Sequence, residues 1–368
     1  MHYSAESLQS AAIKILNGFG CSNNESRLVA DHLIRANLSG HDSHGIGMLP
    51  MYGQQVEDGN LIANQTPDFL PVAGAICVVD AKRGFGHRMA LLALDHAIDI
   101  ASQHNVAVLG LRNSGHISRA GNYSEYCASK GFVSLHFVNV WGHPPLVAHY
   151  GSCQPGFSTN PVSMGFPVNG KAKPMLDMAT STVAMGKVRV AYNRGEKIPT
   201  GWVIDDDGHS TNDPEPIWSR REGALTAFGA HKGSGLGIFV ELLAGALAGK
   251  ETVATGNNIP RGVFNNMLSI VINPAGFDNT SDIEARVMEF YQSIKGGKPV
   301  NGIDEVMMPG EPEERREADR RKNGIDVDDA TIEQLMQTAA AFGLDTTCLL
   351  YTSPSPRDLS TSRMPSSA

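Results

Sequence analysis

Apolar residues recur at helical spacing near both ends of the chain, whereas shorter apolar runs bounded by turn residues occupy its middle. The helical stripes predict amphipathic helices over residues 4–17, 24–39, 89–105 and 331–342. Composition predicts a helix over 236–247, and acidic residues followed by basic ones predict a charged helix over 311–323. A further helix is predicted over 281–294. The S-x-x-E pattern at 281–284 is a capping box, which predicts that its helix begins there. The β-rich runs predict strands over residues 106–111, 132–140 and 267–272. Frequent Gly, Pro, Asn, Ser and Thr between residues 142 and 216 predict short strands and loops, so the fold class is mixed α/β.

The amino-acid composition limits which classes of protein this chain can belong to. The 368 residues are 41% hydrophobic and 18% charged, which suffices for one large core or several smaller ones. No apolar run reaches the roughly eighteen residues of a membrane-spanning helix, and no basic-then-apolar leader opens the chain, so we expect a cytoplasmic protein with no membrane partner. A net charge of −8 argues against nucleic acid and favours a small-molecule partner. The five cysteines lack C-x-x-C spacing, which predicts free thiols.

The densest polar cluster of the N-terminal third runs from His41 through Asp42 and Ser43 to His44, directly after the second predicted helix. A metal site would need a further ligand at a recognisable spacing, and we find none. A structural loop, in which Asp42 and Ser43 satisfy the helix end, is one interpretation. General acid/base chemistry by one histidine is the other, because imidazole titrates near neutral pH. Spacing alone favours the structural interpretation.

Two further polar positions are candidates for a site. His116 follows the predicted strand that ends at Leu111, where side chains of α/β proteins commonly line clefts. A loop histidine bonded to its own backbone is an equal alternative for His116. Asp177 is a lone carboxylate in a mostly apolar run, which is typical of a turn or a helix cap. It could instead hold and polarise a histidine, as in other acid/base pairs.

Two glycine-rich segments are candidates for binding phosphate, namely residues 84–86 and 233–237. Neither matches G-x-G-x-x-G after a strand with an acidic residue about twenty positions later, so an ordinary dinucleotide-binding fold is not predicted. The second segment follows His231 and Lys232 and precedes a predicted helix, which favours an anion site. Close helix packing through small residues explains it equally well.

Six motifs, taken in order, resemble the malate/L-lactate dehydrogenase type 2 family: GHDSHGIGMLP, LRNSGHISRAGNY, STNPVSMGFP, LDMATSTVAMGKVRVA, GAHKGSGLGIFVELLAG and MPGEPE. The similarity covers about residues 1–344. It implies hydride transfer between a nicotinamide and C2 of a 2-oxoacid or 2-hydroxyacid, with the S-H-G histidine exchanging the proton of the 2-oxygen. The resemblance therefore favours the catalytic interpretation of His44 over the structural one.

The resemblance also assigns roles to the other matching positions. It implies a catalytic role for Asp177, which would orient the histidine or contact the cofactor, and substrate-facing roles for Ser43 and His116. No metal is expected. NAD or NADP would be contacted from the matching motifs, with Arg119 or Lys232 available to a phosphate; the implied contacts are His44, Ser118, Arg119, Ala120, Met175, Leu176, Asp177, Met178, Ala179, His231, Lys232, Asn265, Gly310, Glu311, Pro312 and Glu313.

The fold implied by the resemblance is a non-Rossmann NAD(P)-binding α/β fold with a mixed sheet and surrounding helices, in a homodimer. We expect a helical segment carrying the HDSHG loop over residues 1–80, the nucleotide-binding domain over 81–310, and helices returning to the core over 311–347. Residues 348–368 are rich in Ser and Pro, which predicts a disordered tail. The tail also resembles translated sequencing-adapter read-through, so we expect it to be non-native and assign it no function.

One departure from the family pattern concerns the substrate. Many members carry arginine four positions after the S-H-G histidine, a natural clamp for a substrate carboxylate, whereas this chain has Met48. An apolar residue there favours a bulkier or aromatic 2-oxoacid. Two alternatives stay open: reduction of the C=N bond of a cyclic imino acid, and nucleotide binding without catalysis.

Overall fold

The chain divides by its contacts into two units, which are described separately below. The structure is a computed structural model that describes residues 2–220, 222–254, 262–347 and 349. The first unit comprises the residues up to Gln54 and those from Glu313 onward, and the second comprises Gln55–Pro312. The predicted domain limits at residues 80 and 310 stay predictions. The predicted tail lies outside the described residues except for Leu349, which is buried.

Helices form at most of the predicted apolar stripes. They are α1 (Ala5–Gly18), α2 (Asn23–Leu38), α3 (Leu49–Glu57), α4 (Gly86–His104), α5 (Gly121–Ser129), α6 (Met185–Arg194), α7 (His231–Val240), α8 (Thr280–Lys295), α9 (Glu311–Asn323) and α10 (Asp329–Ala341). Ser4 and Ser22 are the N-caps of α1 and α2, because each side chain accepts a hydrogen bond from the backbone N–H three residues later. A π-helical segment, Glu241–Ala248, continues α7.

The two strands of the first unit have two residues each, whereas the second unit contains both two-residue strands and longer ones. The strands are β1 (His2–Tyr3), β2 (Asp68–Leu70), β3 (Ile76–Asp80), β4 (Val106–Gly115), β5 (Val133–Trp141), β6 (Val147–Ala148), β7 (Pro155–Phe157), β8 (Val162–Val168), β9 (Lys171–Met178), β10 (Val203–Ile204), β11 (Ser210–Thr211), β12 (Ala224–Leu225), β13 (Phe264–Ile272) and β14 (Ile325–Asp326). In the first unit, β1 pairs antiparallel with β14, α1 packs on α2, and Leu8, Ile15 and Leu33 of these helices are fully buried.

The second unit contains a seven-stranded sheet and a five-stranded sheet. The larger has the order β2-β3-β4-β13-β5-β8-β9, in which only β3 and β4 run parallel. The smaller has the order β11-β10-β12-β6-β7. A doubly wound dinucleotide fold is mostly parallel, so this mixed order confirms the predicted non-Rossmann α/β class.

Helix α4 is the crossover between the two parallel strands and lies on the larger sheet. Half of its buried residues are alanines, including Ala90, Ala93 and Ala97, which pack with Val79 and Leu109 of the sheet. Small side chains let the helix approach the sheet closely, so that the branched strand residues fill the layer between them. A separate core around Val147, Phe157 and Leu225 supports the smaller sheet.

Two sequence predictions about helices are wrong. Helix α8 begins at Thr280 with Asn279 as its N-cap, whose Oδ1 accepts from Ser281 N at 2.9 Å, so the 281–284 pattern lies inside the helix. Asparagine is as good a cap as serine and comes first along the chain. Helix α6 lies in the stretch predicted to hold only short strands and loops, because abundant turn residues on both sides masked its ten helical residues.

Candidate active site

The HDSHG segment forms a short 3-10 turn soon after α2. The chain leaves α2 at Ser39, turns at Gly40 with a φ of +86°, and forms the 3-10 turn Asp42–His44. A positive φ of this size is unstrained only for glycine, which explains the residue at this exit. Ser43 Oγ lies 2.9 Å from His44 Nδ1, so the serine holds one side of the imidazole.

Polar side chains of the first unit hold this turn before and after the histidine. Asn37 Nδ2 donates to Asp42 Oδ1 at 2.8 Å, and Asn37 Oδ1 accepts from Ile46 N at 2.8 Å. A Cβ at Gly45 would lie 2.2 Å from Asn37 Oδ1, so a glycine is needed for this close approach. Arg320 of α9 donates to both carboxylate oxygens of Asp42, at 2.6 and 2.9 Å.

The imidazole of His44 is neutral at neutral pH. Desolvation, and to a smaller extent the neighbouring His41, lower the pKa of His44 to about 4. A neutral imidazole can accept a proton, which is the state that a general base requires. His41 itself lies 3.7 Å from Glu313 through its Nε2.

His116 is held by backbone contacts at the end of β4. This strand continues four residues beyond its predicted end, because it pairs with both β3 and β13, and His116 is the first residue after it. A Cβ at Gly86 would lie 2.2 Å from Gly115 O, so the 84–86 glycines pack against this turn of backbone. Ile117 N donates to Asn265 Oδ1 at 2.9 Å. Asn265 therefore positions the loop that carries the buried His116.

Arg119 and Asp177 form a buried ion pair in the second unit. Arg119 Nε lies 3.0 Å from Asp177 Oδ2, and the two side chains are only 1% and 7% exposed. The guanidinium also contacts Glu125 at 2.8 Å and Asn122 at 3.1 Å. Its charge thus faces two carboxylates. A phosphate contact for Arg119 stays a prediction, and these contacts argue against it.

The loop between His116 and α5 has an unusual backbone. Ser118 has a φ of +62°, and Ala120 is the cap residue at the start of α5. A Cβ at Gly121 would lie 2.6 Å from Asp177 Oδ2, so the first turn of α5 lies directly against the aspartate. The structure therefore brings the predicted Ser118–Ala120 and Asp177 together.

Edge strand β9 lies beside the segment before α9. Met175 N donates to Pro309 O at 3.2 Å, and a Cβ at Gly310 would lie 3.3 Å from Met175 O. Pro312 is the last residue of the second unit, and Glu313 belongs to the first. The remaining predicted positions here, Leu176, Met178 and Ala179, are half-buried at the end of the strand.

Glu311 is already engaged by protein groups. Its carboxylate accepts from Lys295 Nζ at 2.8 Å, from Tyr291 Oη at 2.5 Å and from Met308 N at 2.9 Å. Desolvation acts to raise the pKa of Glu311, but these hydrogen bonds outweigh it and lower the pKa to about 2. Glu311 is therefore an ionised side chain that holds the 308–311 turn in place.

His231 and Lys232 are exposed in the first turn of α7. His231 packs edge-on against Tyr150, with ring centroids 5.7 Å apart. Gly229 and Ala230, just before the helix, line a cavity of about 790 Å³. A Cβ at Gly233 would lie 2.1 Å from Phe228 O, which supports close packing as the reason for this glycine.

A buried polar network behind the His116 loop was not predicted from the sequence. Asn265 Nδ2 donates to Asn139 O at 2.9 Å, and Asn139 Nδ2 donates to Glu241 Oε1 at 3.1 Å. Asn160 Nδ2 donates to the other oxygen of Glu241 at 2.8 Å. The one available signal was an asparagine inside the apolar run of β5, because a buried polar residue needs a partner.

A metal cluster, a membrane-spanning helix and disulfide bonds were each sought among the described residues. Residues 2–220, 222–254, 262–347 and 349 contain no group of three His, Cys, Asp or Glu side chains arranged to hold a metal ion. Among the same residues, no helix combines the length and apolarity needed to cross a membrane. Cys21, Cys77, Cys127 and Cys153 are free thiols, as predicted, and Cys348 lies outside the described residues.

Comparison with known proteins gives matches over nearly the whole chain. Residues 3–336 match the malate/L-lactate dehydrogenase family. The chain is 38% identical to hydroxycarboxylate dehydrogenase B of Escherichia coli strain K12 over 344 residues, covering 93% of this chain and 94% of that protein. It is 32% identical to a Delta(1)-pyrroline-2-carboxylate/Delta(1)-piperideine-2-carboxylate reductase of Pseudomonas putida over 336 residues, covering 90% and 94%.

A solved structure shows the same architecture. The sulfolactate dehydrogenase of Methanocaldococcus jannaschii aligns with a TM-score of 0.83 at 30% identity, covering 94% of this chain and 98% of that one. The mixed sheets with surrounding helices described above are therefore shared with this enzyme.

Proposed function

Because the chain belongs to the malate/L-lactate dehydrogenase family, we propose that it is an oxidoreductase that interconverts 2-oxoacids and 2-hydroxyacids with NADH or NADPH. The observation that carries this proposal is the S-H-G turn, in which Ser43 holds His44 Nδ1 and the imidazole is neutral. The nicotinamide, when bound, supplies or accepts the hydride. The chain itself must then supply proton transfer, binding and orientation.

In the proposed mechanism, His44 exchanges a proton with the substrate 2-oxygen. Because Ser43 engages Nδ1, we propose Nε2 as the nitrogen that exchanges the proton. In oxidation, neutral His44 accepts the hydroxyl proton, and in reduction His44 protonated at Nε2 returns it to the 2-oxygen. His116, at the end of β4, is proposed to face the substrate, and Asn265 holds its loop.

The proposed nucleotide site lies in the second unit, around Asp177. A loop at the start of a helix presents backbone N–H groups that suit an anion, and residues 118–120 form such a loop before α5. The neighbouring strand β9 packs against Gly310, where a Cβ would lie 3.3 Å from Met175 O. These residues fit a dinucleotide because the loop before α5 supplies backbone N–H groups, and the close packing at Gly121 brings that loop against Asp177. His231, Lys232 and Glu313 stay proposed contacts by resemblance.

The pH dependence of the two directions should differ. The pKa of His44 is lowered to about 4, so the base is present from about pH 5 upward and is lost as the pH falls through 4. We therefore expect kcat/KM for oxidation to be level between pH 5 and 8. Reduction requires the protonated imidazole, so its kcat/KM should fall about tenfold per pH unit above the pKa. An oxidation limb centred near the ordinary histidine value would contradict this assignment.

Met48 supports a bulkier 2-oxoacid as the proposed substrate. It lies in the 3-10 turn Ile46–Met48 directly after the S-H-G motif, where it offers no charge to a second carboxylate. The test is the absorbance of reduced nicotinamide with purified protein, using NADH and NADPH separately against pyruvate, oxaloacetate, phenylpyruvate and hydroxyphenylpyruvate. We expect faster oxidation of the coenzyme with the arylpyruvates. Equal or better rates with pyruvate would overturn the proposed substrate class, and no rate with any oxoacid would overturn the function.

A second candidate function is reduction of a cyclic C=N bond, which the similarity to the Pseudomonas putida reductase favours. The same hydride and proton positions would serve an imine. Cyclic imino acids therefore belong in the substrate panel. Coenzyme oxidation with the cyclic imino acids and with none of the 2-oxoacids would favour imine reduction over 2-oxoacid reduction.

A homodimer is also proposed, and the apolar face of helix 231–248 supports it. Ile238, Phe239, Leu242 and Leu247 are 39%, 63%, 49% and 70% exposed along this one helical segment. Several exposed apolar side chains on one helical segment are typical of a surface that contacts another protein. We expect Leu247→Glu to convert a dimer into monomers in light scattering after gel filtration. Phe277→Glu, at an isolated exposed position, is the control that should leave the mass unchanged.

A further inference from the structure

We infer that Arg320, acting through Asp42, is a positioning residue for proton transfer by His44. The inference rests on the proposed function, because it assumes that His44 moves the proton. It assigns a role to the charged helix α9. Only the first residues of this helix were among the predicted contact positions. The relevant contacts all lie within the first unit.

Arg320 makes a bidentate contact with the first residue of the histidine turn, Asp42–His44. Its two terminal nitrogens donate to the two oxygens of Asp42, at 2.6 and 2.9 Å, across 278 residues of sequence. The same guanidinium donates to the backbone carbonyl of Asn37 at the end of α2. Arg320 thus ties together the helix that precedes the turn and the first residue of the turn itself.

Asn37 adds hydrogen bonds that also hold the residues after the histidine. Its side chain donates to Asp42 and accepts from Ile46 N, so the chain is held two residues before and two residues after His44. Helix α9 also packs against Gly40, since a Cβ at Gly40 would lie 2.2 Å from Arg316 Cδ. Residues 316 and 320 are four apart and share one helix face.

The contact between Arg320 and Asp42 affects the geometry of the turn more than the stability of the fold. The Arg320 and Asp42 side chains are 17% and 45% exposed, and ion pairs with this much exposure contribute little to folding. A planar guanidinium, however, fixes a carboxylate in orientation as well as distance. A proton-transfer group displaced by about 1 Å can lose about a hundredfold in rate. The turn geometry is therefore the property that Arg320 controls.

The test is Arg320→Ala in the full-length protein, assayed with the best substrate of the panel. We expect kcat to fall about 10-fold to 100-fold while KM and the nucleotide Kd change little. Arg320→Lys should recover only part of the rate, because an ammonium cannot make the paired contact. Asp42→Asn removes the same ion pair from its other side and should show the same loss. Arg321→Ala is the matched control, because Arg321 pairs with Glu317 on α9 itself.

The His44→Ala background separates this inference from the proposed function. Arg320→Ala should cause no further loss there, because a positioning residue acts only through the group it positions. An equal loss in that background would overturn the inference, as would an unchanged kcat in both Arg320→Ala and Asp42→Asn. If His44→Ala alone leaves the rate intact, the proposed role of His44 fails, and the inference fails with it. If the unsubstituted protein shows no rate with any substrate of the panel, the proposed function fails instead.

Discussion

Replacing His44 by alanine should reduce kcat for the 2-oxoacid by about 10² to 10⁴, the usual range for loss of a general acid/base group. Ser43 holds the ring through Nδ1, and desolvation keeps it neutral, so the imidazole is both oriented and in the state that accepts a proton. Nucleotide binding should persist, because most of the proposed contacts to the dinucleotide belong to the second unit. The measurements are coenzyme oxidation by absorbance and nucleotide Kd by fluorescence titration.

The outcome of this substitution also decides between catalysis and simple nucleotide binding. His209→Ala is the matched control, since that side chain is 79% exposed in a loop of the second unit and should be silent. Retained nucleotide binding with lost turnover supports catalysis by His44. Turnover that equals that of the unsubstituted protein would remove His44 from the mechanism.

Replacing Arg119 by leucine should cost about 3–5 kcal/mol in the free energy of unfolding. The substitution leaves the 7% exposed carboxylate of Asp177 without its cation, and it also strips Glu125 of its partner. Burying an uncompensated charge is costly, because the protein interior solvates it poorly. Urea unfolding followed by tryptophan fluorescence measures the shift of the transition midpoint.

A matched comparison tests whether burial is the cause. Arg286→Leu breaks an ion pair with Asp278 whose side chains are 58% and 50% exposed, so the midpoint should hardly move. The double substitution Arg119→Leu with Asp177→Leu should recover part of the loss, because it removes a buried charge rather than stranding it. A small effect of Arg119→Leu, similar to that of Arg286→Leu, would mean that water reaches Asp177.

The sequence by itself determined the helices at the two ends, the mixed α/β class, the family, and the S-H-G pair of Ser43 and His44. These features depend on local information. Apolar stripes repeat within a few turns of helix, and the motifs are short runs of adjacent residues. Local information also explains the two wrong predictions about helices. At α8, two nearby polar residues could each serve as the N-cap. At α6, flanking turn residues hid a short helix.

Only the tertiary structure decided which polar groups meet. The contact of Asp42 with Arg320 joins residues 278 apart, and that of Asn139 with Glu241 joins residues 102 apart. The tertiary structure also pairs Arg119, whose phosphate contact stays a prediction, with Asp177 and Glu125. Pairings of this kind leave no periodic trace in the sequence, because they arise when whole helices and sheets pack and each buried charge must find an opposite charge.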